Sequence, residues 1–437
     1  MGRGHARNAR RMTALVDARG RPRVVVTGIG CVTPLGLDVA STWAALLAGR
    51  SAVGPITRFD ASGYPTRFAA EVANLPELEL PGRYARWSDP KATLAAVSAA
   101  EAMANAGLTR GDVDPFRFGV SVGAEASRPE LHLVSERLAE FARTTPAEAY
   151  AAVDPKDFLV MGPSFPATLV AHLQGAQGPS LTTSTACTSS AQSVGDALRV
   201  LRRGDADVML AGGTDRLVEE LMLTGFGLLG ALSTRNDDAA GASRPFDRTR
   251  DGFVLGEGAG FVVLERLDHA LRRGATIHAE LLGYGCSANA WRITDSPPDG
   301  RGARQSMQMA LWDAGAHPED VDYINAHGTS TQQNDLSETA GIKAALGEHA
   351  RRVAVSSTKS MMGHLVAACG VVELIVCVQA IRSGVVPPTL NLHHPDPLCD
   401  LDYVPHVARE LRVDLALTNA FGFGGSNGTL AVGRWDA

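Results

Sequence analysis

Apolar positions in this chain fall into short unbroken runs and helical stripes that alternate along its length. Val24-Val25-Val26 followed by Thr27-Gly28-Ile29-Gly30 predicts a buried strand closed by a glycine turn. A short helical stripe covers Ser41–Leu47 and stops at Gly49. Asp89-Pro90 supplies a cap and a first-turn proline for a helix through Leu94, Val97, Glu101 and Ala104, with Gly107 as its stop. Phe118–Gly123 reads as the next strand. Residues 125–180 carry Pro129, Pro146, Pro155, Pro163 and Pro166 and read as an irregular insertion. Ala191, Val194, Leu198 and Leu201 then recur at helical spacing up to Gly204.

The second half repeats this layout. Glu280–Gly285 matches the first strand and its glycines, a helix runs through Met307 and Leu311, and a strand leads into His327. Gly107 to Asp112 and Gly315 to Asp320 have one spacing, each pair with Ala before the glycine and Val-Asp after the aspartate. Val353–Ser356 leads into a helix that ends near Gly384, as the helix after Cys187 ends at Gly204. Several matches in one order argue for an internal duplication, an α/β fold of two pseudo-symmetric halves. The divisions expected are a basic, flexible extension over 1–22, a first half over 23–272 and a second over 273–437. Residues 1–23 hold seven arginines. A disordered extension, or a start placed upstream of Met12, accounts for them better than a transit-like segment.

Composition narrows the class. A chain of 437 residues that is 45% hydrophobic buries a large core, and a net charge of −6 gives no reason to expect nucleic acid or a membrane surface as partner. Six cysteines without metal-ligand spacing point to a reduced, cytoplasmic protein and no bound metal. The longest apolar run, Leu365–Ile381, contains Glu373 and Gly370 and reads as a buried helix rather than a membrane span.

Chemistry gathers in four stretches. Thr182–Ser190 surrounds Cys187 with small hydroxyl residues just before a helix, where free N–H groups and the helix dipole favour a thiolate. A core cysteine would have more apolar neighbours, so the nucleophile is the better reading. Asn325–Thr331 places His327 at a strand end; a turn histidine bonded to nearby backbone explains it equally well. Ser356–His364 sets Lys359 and His364 before the long apolar helix, where a solvated lysine and a capping histidine are the alternative. Pairing of the halves tilts the balance, because pseudo-symmetry would bring this junction to Cys187. Phe421–Gly428 is a glycine-rich loop without P-loop residues and can offer backbone N–H groups to an oxyanion.

Together with Gly252–Ala259 and Gly28–Gly36, these stretches resemble those of elongating β-ketoacyl-[acyl carrier protein] synthases, the condensing enzymes with a Cys-His-His site. The resemblance runs from about Val24 to the C-terminus. It implies a thiolase-like fold with five layers, α-β-α-β-α. Cys187 would then take an acyl chain as a thioester, with backbone N–H groups of Cys187 and Phe423 as oxyanion hole and gate. His327 and His364 would assist decarboxylation of malonyl-carrier and hold the enolate. Lys359 and Glu338 would carry over as a pair that orders the site. Thr329 and Thr331 would contact the pantetheine arm or malonyl group, with Thr294, Phe421, Phe423 and Asn289 as further substrate-binding residues. The implied partners are an acyl carrier protein bearing acyl and malonyl groups, and a second subunit, either a copy of this chain or a chain-length-factor-like protein. No cofactor is implied beyond the phosphopantetheine arm that the carrier delivers.

Departures from the family pattern fall at Gly123–Pro129 and Asn289–Arg292, segments that resemble acyl-pocket or gating stretches. Glu125, Arg128 and Trp291 would give that pocket charge and a flat aromatic surface. The expectation is a specialised polyketide or unusual fatty-acyl pathway; housekeeping fatty-acid elongation and the catalytic subunit of a heterodimer are the alternatives. Gln332 replaces a usual proline, Ser190 a usual glycine and Cys369 a small residue.

Overall fold

The computed structural model describes residues 15–75, 89–127 and 159–436, with isolated positions between 136 and 148. The first half runs β1 (Val24–Val32), α1 (Val39–Leu47), α2 (Pro90–Asn105), β2 (Phe118–Ala124), α3 (Phe165–Gln174), β3 (Ser180–Thr183), α4 (Ser189–Arg203), β4 (Val208–Arg216), α5 (Glu220–Leu228) and β5 (Glu257–Arg266). The second runs β6 (Ala279–Ala288), α6 (Arg301–Ala314), β7 (Tyr323–Asn325), α7 (Gln332–Leu346), β8 (Ala354–Ser356), α8 (Cys369–Ser383), β9 (Leu415–Phe421) and β10 (Ser426–Gly433).

Among the described residues, ten strands form one hydrogen-bonded sheet in the order β8-β7-β9-β10-β6-β1-β5-β4-β2-β3. Each half contributes five strands in the same relative order, and each mixes parallel and antiparallel pairs in the same way. They join through a short antiparallel contact, Val25 opposite Glu280 and Val26 opposite Ala279. Helices α4 and α8 pack against each other and against strands of both halves, while α2 and α3 cover the outside of the first half and α6 and α7 that of the second. The result is the five-layered thiolase-like arrangement. Helix α8 shows why burial, not composition, decides an apolar stretch: Val366–Ser383 is long and apolar enough to cross a membrane, yet 83% of it is buried inside the protein.

Two expectations about elements change. Strand β1 does not turn at its glycines but continues to Val32. A Cβ on Gly28 would sit 2.2 Å from the Ala102 carbonyl oxygen, and one on Gly30 2.2 Å from that of Ser98, so these glycines let α2 lie directly on the strand. Gly283 and Gly285 repeat the device beneath α6, 2.3 Å from Ala310 O and 2.0 Å from Ser306 O. The stretch read as an irregular insertion contains helix α3, whose Pro166 occupies the first turn, where a missing N–H costs nothing. Of the expected flexible extension, residues 15–22 are docked. Arg19 lies over the Trp312 ring at 3.8 Å, and Arg21 donates to Asp313 and to its carbonyl at 2.8 Å.

Candidate active site

Cys187 sits in a single 3-10 turn, Ala186–Thr188, between β3 and α4. Ala186 is held at φ 52°, a left-handed conformation rare for residues with a side chain. That kink directs the sulfur into a cavity while leaving Cys187 only 7% exposed. Burial pushes the thiol up to about 12, against the Lys359 charge and a hydrogen bond from the Phe423 N–H, which pull it down. The expectation of a resting thiolate is therefore corrected: desolvation outweighs the helix end, and the resting group is a thiol. The glycine-rich loop closes over it as the β9–β10 hairpin, so tightly that a Cβ on Gly422 would lie 3.3 Å from Cys187 N.

Both histidines face this sulfur. His364 Nε2 lies 3.1 Å from Cys187 Sγ. Its Nδ1 accepts the Val366 N–H at 3.1 Å, so in the neutral ring the proton sits on Nε2, pointing at the reacting sulfur. Backbone bonds with Val254 and Gly256 on either side fix the ring's position. His327 follows β7, with its ring 5.2 Å from that of His364 and almost perpendicular to it. Its Nδ1 is buried with no hydrogen-bond partner among the described residues. Burial, the Lys359 charge and His364 hold His327 well below the ordinary histidine range; burial and Lys359 do the same for His364. Sγ and one ring nitrogen of each histidine lie within 4.8 Å of one another. A protonated Nε2 is a donor, suited to a developing oxyanion.

Lys359 and Glu338 are not in direct contact, and Glu338 acts on Lys359 through its charge alone. The Lys359 ammonium is buried in an ion pair with Glu373 on α8. Burial pulls Lys359 down, but the Glu373 charge and hydrogen bond more than offset it and keep the ammonium protonated. Glu338, on α7, instead accepts the backbone N–H groups of His327 at 2.9 Å and Gly328 at 2.8 Å, and the Asn419 amide at 3.1 Å. It holds the loop that carries His327. The correction has a plain cause: Glu373 is one turn into a helix that passes behind Lys359. In the sequence it registered only as the charge interrupting an apolar run.

The cavity over these groups measures about 340 Å³. Thr294, Thr329, Thr331, Phe421 and Phe423 line it, and Leu217, Met222, Phe226 and Phe253 add an apolar wall that sequence reasoning missed. Phe253 stands edge-on to His364 at 5.3 Å, and Phe226 packs on Phe253 at 5.3 Å. The apolar run 221–229 around Gly225 and Gly227 was the available signal for Phe226. Asn289 is corrected: it does not line the cavity but accepts from Asn427 at 2.8 Å and donates its N–H to Gly425 O, pinning the glycine-rich hairpin. Trp291 is also outside the cavity, half exposed beneath Arg301. Arg128 lies outside the described residues. Glu125 does line the cavity.

The profile "Beta-ketoacyl synthase, N-terminal domain" matches residues 21–270, and "Beta-ketoacyl synthase, C-terminal domain" matches 278–393. The chain is 44% identical to the 3-oxoacyl-[acyl-carrier-protein] synthase 2 of Coxiella burnetii, across 94% of this chain and 98% of that protein. It is 45% identical to the actinorhodin polyketide putative beta-ketoacyl synthase 1 of Streptomyces coelicolor, across 94% of this chain and 88% of that one. Among solved structures it superposes with a TM-score of 0.87 at 35% identity on a type II polyketide synthase ketosynthase, bound to a hexaketide and in complex with its acyl-carrier protein. That match covers 95% of this chain and all of the other.

Proposed function

This chain belongs to the β-ketoacyl synthase family, and on that premise we propose how its residues divide the reaction. It is a 3-oxoacyl-[acyl carrier protein] synthase, an acyltransferase that condenses malonyl-carrier with an acyl chain and releases carbon dioxide. The observation that carries the assignment of roles is the Nε2 proton of His364 aimed at Cys187 Sγ across 3.1 Å.

In the first half-reaction Cys187 sulfur attacks the acyl thioester on the carrier. The C–S bond to pantetheine breaks, and the proton lost from Cys187 ends on the departing pantetheine sulfur. N–H groups of Cys187 and Phe423 hold the oxyanion. In the second, the malonyl C–C bond breaks to carbon dioxide and an enolate, whose oxygen is held by neutral His364 and His327. The enolate carbon attacks the acyl carbon and expels Cys187 sulfur, which regains a proton from solvent. Thr329 and Thr331, whose hydroxyls lie 2.9 Å apart on the cavity wall, would meet the pantetheine arm or malonyl group. These steps use no metal or nucleotide.

The partner in this reading is an acyl carrier protein, and the working unit a dimer, with itself or with a chain-length-factor-like subunit. Strand β3 ends the sheet with alternating exposed residues and supports pairing there. Six free cysteines support a reduced, cytoplasmic setting. We place the enzyme in a specialised polyketide or unusual fatty-acyl pathway, because the Glu125 carboxylate on the cavity wall offers a saturated chain nothing to bond. Trp291, a second support for that placement, is outside the cavity, and Arg128, the third, lies outside the described residues.

Intact mass after incubation with a panel of acyl carriers tests the reading. Acyl adducts should form on Cys187 and be absent from Cys187→Ala; an adduct that persists in that variant overturns the assignment. Competition between saturated and polyunsaturated or oxidised chains of equal length decides the pathway. Equal or faster condensation of the saturated chain would identify a housekeeping elongating synthase.

A further inference from the structure

Glu125 follows β2 and turns its carboxylate toward the nucleophile. Oε1 accepts the Ala186 N–H at 2.9 Å, Ser184 Oγ at 3.1 Å and Ser189 Oγ at 3.4 Å. The Ala186 amide immediately precedes Cys187 and belongs to the residue held at φ 52°. Lys91 gives its ammonium to the main-chain carbonyl of Glu125. The matching turn of the other half, with Val366 at φ 46°, is also held by a carboxylate, one residue further on: Asp215 Oδ2, from the end of β4 in the first half, accepts the Ala367 N–H at 3.1 Å. Two kinked turns that lead into helices are thus each held by a carboxylate bonded to a backbone amide. Only that of Glu125 also lines the cavity.

From this arrangement we infer that Glu125 is a positioning residue for the nucleophile: it holds the turn that aims Cys187 and places a carboxylate on the wall of the cavity that the sulfur faces. The inference rests on the reading of Cys187 as acyl acceptor. Around that sulfur stand Lys359 from before α8, His364 and His327 as neutral rings, Asp215 from β4, and the Cys369 thiol, which donates to the Cys187 carbonyl at 3.2 Å. The Lys359 charge favours the thiolate, and those of Glu125 and Asp215 oppose it. Removing the charge at 125 must therefore lower the pH at which Cys187 becomes reactive.

The test compares the full chain carrying Glu125→Gln or Glu125→Ala with the unchanged protein. Iodoacetamide alkylation of Cys187 is followed against pH by mass, with Cys187→Ala as blank, and acyl loading is timed separately. Glu125→Gln keeps the shape and an acceptor oxygen but not the charge, so its loading at a fixed pH should rise with the thiolate fraction rather than fall. Its alkylation midpoint should fall by about one pH unit, a tenfold change in thiolate fraction. Glu125→Ala loses the brace as well, and loading should slow by about tenfold or more from misalignment of the sulfur. An unmoved alkylation midpoint in Glu125→Gln, or wild-type loading by Glu125→Ala, overturns the inference. Failure of the unchanged protein to load from any acyl carrier, with the midpoint shift still present, would sink the functional reading and leave the role of Glu125 standing.

Discussion

The two helix starts at the centre of the molecule share one design and end with different chemistry. In the first half two residues, 184–185, separate strand β3 from the 3-10 turn that starts α4. In the second, nine residues, 357–365, separate β8 from the turn at Val366–Ala368 that starts α8. Both turns hold a strained non-glycine residue and a carboxylate-bound amide. At the position of Cys187 the second turn has Ala367, and its extra residues carry Lys359 and His364 instead. One copy thus keeps the nucleophile, and the other, relieved of that task, has lengthened to supply the donor and the buried charge that face it. Neither half holds a complete site, since the reacting atoms meet only where α4 and α8 pack. At that crossing a Cβ on Gly370 would be 2.8 Å from Ala191, and Ser190 Oγ accepts the Val371 N–H at 3.1 Å.

The largest effect should come from separating the tasks of these two turns. His364→Ala and His327→Ala should still become acylated on Cys187 yet condense more slowly by about 10²–10⁴-fold, the usual cost of a lost general acid–base group or oxyanion donor. Condensation rates within a few-fold of wild type in either variant would remove that residue from the second half-reaction. Next in size is the buried ion pair. Lys359→Met leaves Glu373, which burial already pushes up to about 7, to take up a proton and sit buried without its partner, and should cost about 3–5 kcal/mol in urea unfolding. The double variant Lys359→Met with Glu373→Leu should recover much of it, whereas Lys359→Met with Glu338→Leu should not. Recovery in the second pair alone would restore the partnership expected from sequence.

The glycine seats of the outer helices probe the symmetry of the halves rather than their difference. Gly28→Ala and Gly285→Ala should each destabilise by about 1–3 kcal/mol, because backbone oxygens stand where the methyl would go. Gly54→Ala, with nothing within 4 Å, is the matched control. Unequal losses at Gly28 and Gly285 would show that the two halves pack their outer helices with different tolerance. The smallest effect is with pH. Both catalytic-site histidines stay neutral far below the usual range, so any loss of malonyl-carrier decarboxylation between about pH 7.5 and about 5.5 should follow Glu338 and Glu373, which burial pushes up to about 7, and not the imidazoles. The histidine shift acts on stability with a definite sign. Below about pH 6.5 the unfolded chain takes up protons that the folded histidines refuse, so these groups lower stability as pH falls.

The chain's local patterns marked Cys187, His327, His364 and Lys359 as candidates, because each sits at a strand or helix end with glycine, hydroxyl residues or an apolar stripe, but only the family resemblance gave the last three their roles. Those patterns were enough to see the duplication, since equal spacing of Ala-Gly and Val-Asp pairs survives in one dimension. Partner choice was not local. Whether Lys359 meets Glu338 or Glu373, and whether Asn289 faces the cavity or braces the hairpin, depends on which elements cross, and spacing along the chain says nothing about that. Glycines 28 and 30 looked like a turn because their reason lies on α2, some 70 residues away in sequence. Protonation of Cys187 was decided by tertiary structure alone. A helix start favours the thiolate through a local dipole, but packing of both halves leaves Cys187 only 7% exposed, and that burial raises the thiol further than Lys359 and the Phe423 N–H lower it.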